Sequence, residues 1–118
     1  MKLGFVIVLA LGLAACAQRP DLSEPSYGPP ATSAQKDAAA DLVAQCYVRQ
    51  AAKADDRISD ANVIGAAVAK SCEKELWAYA KVMAQGQSDT HLMRLFDGMK
   101  SDARRTATSV VLSQRAKS

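Results

Sequence analysis

Residues 46–72 read CYVRQAAKADDRISDANVIGAAVAKSC, and the spacing within this stretch decides the fold. Apolar residues recur three or four apart on both sides of a polar break at Asp55, Asp56 and Arg57, the pattern of two amphipathic helices joined by a short turn. Helices joined in this way pack antiparallel, so residues equidistant from the centre of the turn lie side by side. Cys46 and Cys72 are equidistant from Ser59, which predicts a disulfide across the hairpin. The same register sets Leu42 beside Leu76, Gln50 beside Val68 and Ala54 beside Ile64. Closing a loop of this length stabilises a domain by roughly 3 to 4 kcal/mol in the chain-entropy view. Two buried free thiols are the alternative. A catalytic redox pair fits less well, because the cysteines lack the Cys-x-x-Cys spacing.

Outward from the hairpin, the first helix is expected from about Ser33 as N-cap, with Asp37 in its opening turn, to Ala54. Its inner stripe reads Ala39, Leu42, Val43, Cys46, Gln50 and Ala54. For the second helix, Ser59 is the expected N-cap, with Ile58 stapling onto Val63 and an inner stripe of Ile64, Val68, Cys72, Leu76, Tyr79 and Met83. Gln85-Gly86 is its stop. A third helix starts at Ser88 and carries Leu92, Leu95, Phe96 and Met99 inward. Gly98 leaves two readings: one continuous or kinked helix, or a stop followed by a fourth helix capped at Ser101. The expected fold is all-α, a disulfide-stapled antiparallel helical hairpin with a third C-terminal helix, occupying residues 34–118.

The N-terminal side has a different texture. Residues 17–33 hold all four prolines, mixed with Ser and Gly, and read as a semi-extended spacer reaching on the order of 50 Å at most. Ahead of it, Lys2 is followed by an apolar run from Leu3 to Gly12, of signal-peptide length and too short for a stable membrane span. The run closes on Leu13-Ala14-Ala15-Cys16, which resembles the lipobox of bacterial lipoproteins. That resemblance implies a signal peptide over residues 1–15, removed by signal peptidase II. It also implies a diacylglyceryl group on the Cys16 thiol, palmitate-type acyl chains, and a disordered tether over residues 16–33. Ala17, in place of Asp, implies sorting to the outer membrane. With Cys16 lipidated, Cys46 and Cys72 remain as an even pair in an oxidising periplasm, where a disulfide persists.

Aromatic residues make up 5% of the chain against 49% hydrophobic, so its core must rest on Ala, Val, Leu and Met. The net charge of +3 falls to +2 once Lys2 is lost, too little to imply nucleic acid. Charge is concentrated instead at the C-terminal end, where Lys100, Arg104, Arg105, Arg115 and Lys117 face the single acid Asp102. This reads as a solvated helix face, or else as a surface for lipid head groups or an acidic protein.

Candidates for chemistry are few. His91 stands without a second histidine or a free cysteine to share a metal. Asp55 and Asp56 fall in a turn, and Glu73 and Glu75 are two apart on a helix and point away from each other. Lys70 and Glu73 read as an ordinary surface ion pair. Neither a phosphate loop nor a nucleophile arrangement occurs, so no enzyme activity, cofactor or metal is expected. Trp77 lies under the third helix or forms an exposed partner contact; Tyr47 poses the same choice. The expected role is structural or protein-interacting, in a periplasm-facing lipoprotein held to the membrane through Cys16, with an envelope protein as partner. A small envelope inhibitor, immunity or exclusion factor is the alternative.

Overall fold

A computed structural model describes residues 28–118 of the chain. The expected signal peptide, the lipidation expected at Cys16 and residues 16–27 of the expected tether lie outside the described residues. Four helices follow one another: α1, Ser33–Ala54; α2, Ala61–Ser71; α3, Glu73–Met83; and α4, Asp89–Ala116. The all-α architecture and the staple from Cys46 to Cys72 are as the sequence predicts.

Helix starts are set by side-chain oxygens that take up otherwise orphaned N–H groups. For α1 that residue is Thr32 rather than Ser33. The Gln35 N–H donates to Thr32 Oγ1 at 3.2 Å and the Thr32 N–H donates to Gln35 Oε1 at 2.9 Å. Ser33 has Lys36 three residues on, which cannot complete this reciprocal box. In α2 the cap is Asp60 rather than Ser59, and accepts from the Asn62 N–H at 2.7 Å. The shift by one position dissolves the expected staple, leaving Ile58 91% and Val63 61% exposed. Ser88 caps α4 as expected, accepting from the His91 N–H at 3.2 Å.

The second helix is not one rod. It bends at Cys72, whose φ of −106° and ψ of 13° depart from helical values although its N–H still donates to the Val68 carbonyl at 3.2 Å, dividing it into α2 and α3. Ser71 Oγ donates to the Ala67 carbonyl at 3.0 Å, a back-bond that bends helices, and Cys72 itself is tied to α1. The expected ion pair is not formed: Lys70 and Glu73 line one small cleft with Ala66 and Arg104, but no salt bridge joins them. By contrast α4 runs straight through Gly98, which faces open space, so the continuous reading is the right one.

Most of the core gathers Val43, Cys46, Tyr47 and Ala51 of α1, Ile64, Val68 and Leu76 of the bent pair, and Ala103, Ala107 and Val111 of α4. Residues Ile64, Val68, Cys72 and Leu76 are inward as expected. On α1 the inner face is rotated: Leu42 is 56% exposed and Ala54 is also outside, while Tyr47 and Ala51 are buried. A straight two-helix hairpin would have centred α1 on one neighbour. Because α4 packs on it as well, the covered face turns toward the gap between α3 and α4. A smaller cluster of Ala80, Ala84 and Leu92 closes the α3–α4 end, with Trp77 and Leu95 packed on it.

Glycine decides two close approaches. A Cβ on Gly65 would lie 2.8 Å from the Thr108 Cα and 2.1 Å from its Oγ1, so α2 reaches α4 only because that atom is missing. Gly86 has φ +84°, the left-handed turn after α3, and its missing Cβ would meet the Gly28 carbonyl oxygen at 2.8 Å. The Gln85 side chain donates to the Pro29 carbonyl at 3.1 Å, and Ala31 is buried. Residues 28–32, expected to belong to the tether, thus lie against the α3–α4 turn.

Candidate functional site

Cys46 and Cys72 sit in the core with their Cα atoms 5.9 Å apart and their sulfurs bonded at 2.03 Å. Both are buried. A Glu75 carboxylate oxygen lies within 4.8 Å of both sulfurs, a grouping of donor types able to hold a metal were the thiols free. Bonded to each other, they offer no thiolate. Glu75 Oε2 is buried there without a hydrogen-bond partner.

The α1–α2 turn is a clamp rather than an acid–base pair. Asp55 ends α1, and its carboxylate takes a two-pronged contact from Arg115 near the end of α4, with Nη2 at 2.6 Å and Nε at 3.0 Å. Arg115 Nη2 also donates to the Ser59 carbonyl at 2.8 Å. These hydrogen bonds hold the Asp55 carboxyl below the ordinary carboxylate range and raise the guanidinium in turn. Asp56 accepts from the Ser59 hydroxyl at 2.6 Å and from the backbone N–H groups of Ser59 and Ile58, which pulls its pKa down to about 2. Arg57 stands between them at φ +61°, a left-handed conformation stabilised by its N–H donating to Asp55 Oδ1 at 2.9 Å. Its guanidinium reaches Ser118, so Arg115 and Ser118 both tie the end of α4 to this turn.

Trp77 is partly buried, its ring edge-on to Phe96 of α4 with centroids 4.8 Å apart. It closes the smaller core cluster, the first of the two fates the sequence allowed. Tyr47 is buried, and burial raises its phenol pKa. His91 is exposed in the first turn of α4, where its backbone N–H, and not its ring, satisfies the cap.

What the sequence did not show is a groove of about 350 Å³ between α1, α3 and α4. Ala40, Val43, Ala44 and Val48 form one wall, Leu76 and Tyr79 the end, and Met99, Ala103 and Val110 the other wall. Asp102 and Thr106 supply the polar groups at this otherwise apolar surface. The size falls at the lower end of ligand sites, and a mostly apolar wall with a few polar groups is their usual composition. Small side chains make it: with alanine at positions 40, 44 and 103, the helices cannot fill the space between them. On the opposite side of α4 a polar cleft of about 360 Å³ is lined by Asn62, Ser101, Arg104, Arg105, Thr108 and Ser109.

Comparison of the chain with protein-family models, with curated proteins and with solved structures returned no match. Among the described residues no helix is long and apolar enough to cross a membrane.

Proposed function

We propose that this chain is a non-enzymatic, lipid-anchored protein of the cell envelope, held at the membrane through Cys16 and binding a partner protein in the groove between α1, α3 and α4. The groove is the observation that carries the reading, because apolar walls left open in so small a core are a standing cost unless something covers them. The lipobox-like Leu13-Ala14-Ala15-Cys16 and the buried disulfide support an exported, oxidising setting, with the outer membrane as destination. Trp77 is spent on Phe96, so the contact surface centres on Val48, Tyr79 and Thr106 instead.

Two measurements test this. Intact-mass analysis of the membrane fraction should find Cys16 acylated and residues 1–15 gone, with Cys16→Ser abolishing both changes; an unprocessed chain refutes the anchor. A photo-crosslinking side chain at Thr106 should yield one discrete adduct in intact cells, lost on Ala44→Trp. Equal labelling from Ala67, on the exposed face of α2, refutes the groove.

A further inference from the structure

We infer that the cleft between α2 and α4 is a binding site for a phosphate group, held by the guanidinium groups of Arg104 and Arg105. The inference goes beyond the groove and the lipid anchor, and stands whether or not either holds.

Charge and unspent donors carry it. Arg115 is committed to Asp55, and Lys100 lies 3.3 Å from Asp97 with its ammonium 4.9 Å from the Phe96 ring centroid. Arg104 and Arg105 have no ion-pair partner among the described residues, and no acidic residue lines their cleft. The one acid close to them in sequence, Asp102, lines the groove on the other side of α4. Both guanidinium-bearing residues line the cleft, and an anion seated there is attracted by two uncompensated positive charges. Guanidinium is also the group whose planar fork matches two phosphate oxygens at once.

The rest of the lining sorts by which protons are free. Thr108 Oγ1 donates to the Arg104 carbonyl at 2.8 Å and Ser109 Oγ to the Arg105 carbonyl at 3.1 Å, so neither has a proton left for an anion. The Asn62 side-chain amide and the Ser101 hydroxyl make no hydrogen bond among the described residues, and both can donate. Asn62 belongs to α2, and it reaches this cleft because Gly65, three residues on, lets α2 settle against Thr108. The close packing of two helices thereby brings a neutral donor to two cationic ones. A volume of about 360 Å³ admits a phosphate together with an esterified group.

The test uses the full chain in a non-ionic detergent, titrated at constant ionic strength with inorganic phosphate and, separately, with glycerophosphoglycerol, the water-soluble diester of a phospholipid headgroup. Arginine side-chain NMR resonances report binding. Saturable shifts at Arg104 and Arg105 are expected, with affinity falling roughly tenfold in Arg104→Gln/Arg105→Gln. Both arginines are exposed, so the variant should keep its circular dichroism and Tm. Lys36→Gln/Lys53→Gln removes the same charge elsewhere and should change affinity less than twofold. Saturation by the diester alone makes the source a lipid headgroup; saturation by inorganic phosphate makes it a soluble anion. Failure of both probes to saturate, or an equal loss in the Lys36/Lys53 variant, overturns the site.

Discussion

The two long sides of α4 are packed in opposite ways. Toward α2 the backbones touch: Gly65 lies against Thr108 with no room for a single added carbon. Toward α1 and α3 the same helix leaves a gap of about 350 Å³, although alanines line both sides of it. Small residues therefore do not by themselves give close packing. They permit it where the helix axes converge, and they leave a hollow where a third element holds the axes apart. Here that element is α3, whose Leu76 and Tyr79 line the end of the hollow and which follows Cys72, the residue tied to α1 by the disulfide.

The strongest way to break the contrast is to cut the tie. Cys46→Ala/Cys72→Ala frees a loop with 26 residues of sequence separation and should cost about 3.5 kcal/mol, lowering Tm by roughly 15–25 °C in calorimetry. If the bridge also holds the groove open, the double variant loses crosslinking at Thr106 at temperatures where it is still folded. Gly65→Ala attacks the tight side and should destabilise by about 2–3 kcal/mol even though alanine is the better helix former, since backbone at 2.8 Å must move. The same substitution at Gly98, where a Cβ meets nothing, should stabilise by about 0.5–1 kcal/mol. The two glycines thus predict opposite signs for one chemical change on two helices, and urea titration reads both.

Acid should test the clamp at the end of α4. Asp55 and Asp56 are depressed in the folded state, so their contribution is complete above the ordinary carboxylate pKa and is lost as pH falls through the folded values, toward about 2 for Asp56. Tm should therefore drop between about pH 4 and 2, with a shallower drop in Asp56→Asn. The smallest effect is expected at Glu75. Replacing it by Leu removes a buried oxygen without a partner and should leave Tm unchanged or slightly raised.

Several of these features are legible in the amino-acid sequence alone. The pairing of Cys46 with Cys72 follows from their symmetry about Ser59, and the Ser88 cap from its position ahead of an apolar run. The corner at Cys72 was not legible, because nothing breaks the apolar period there: Val68, Cys72 and Leu76 remain on one stripe, and neither Pro nor Gly marks the bend. Nor was the rotation of α1. Alanine at positions 34, 38, 39, 40, 44, 51, 52 and 54 makes that helix weakly apolar on every side, so which face turns inward depends on how many neighbours it meets. The groove follows from that rotation and was hidden with it. The clamp joins residues 60 apart in the chain, and opposite charge alone cannot select Arg115 for Asp55 over the other basic residues.

Seating Gly28 and Pro29 against the α3–α4 turn has a mechanical consequence. A pull applied ahead of Gly28 first strips those residues from Gly86 and Gln85, then unwinds α1 from Ser33, one turn at a time. Unwinding halts at Cys46, where the load passes through the sulfur bridge into the corner between α2 and α3. Under tension, then, the first half of α1 acts as a short extensible leader, and the loop of residues 47–71 between the two cysteines is shielded from the force until a covalent bond gives way.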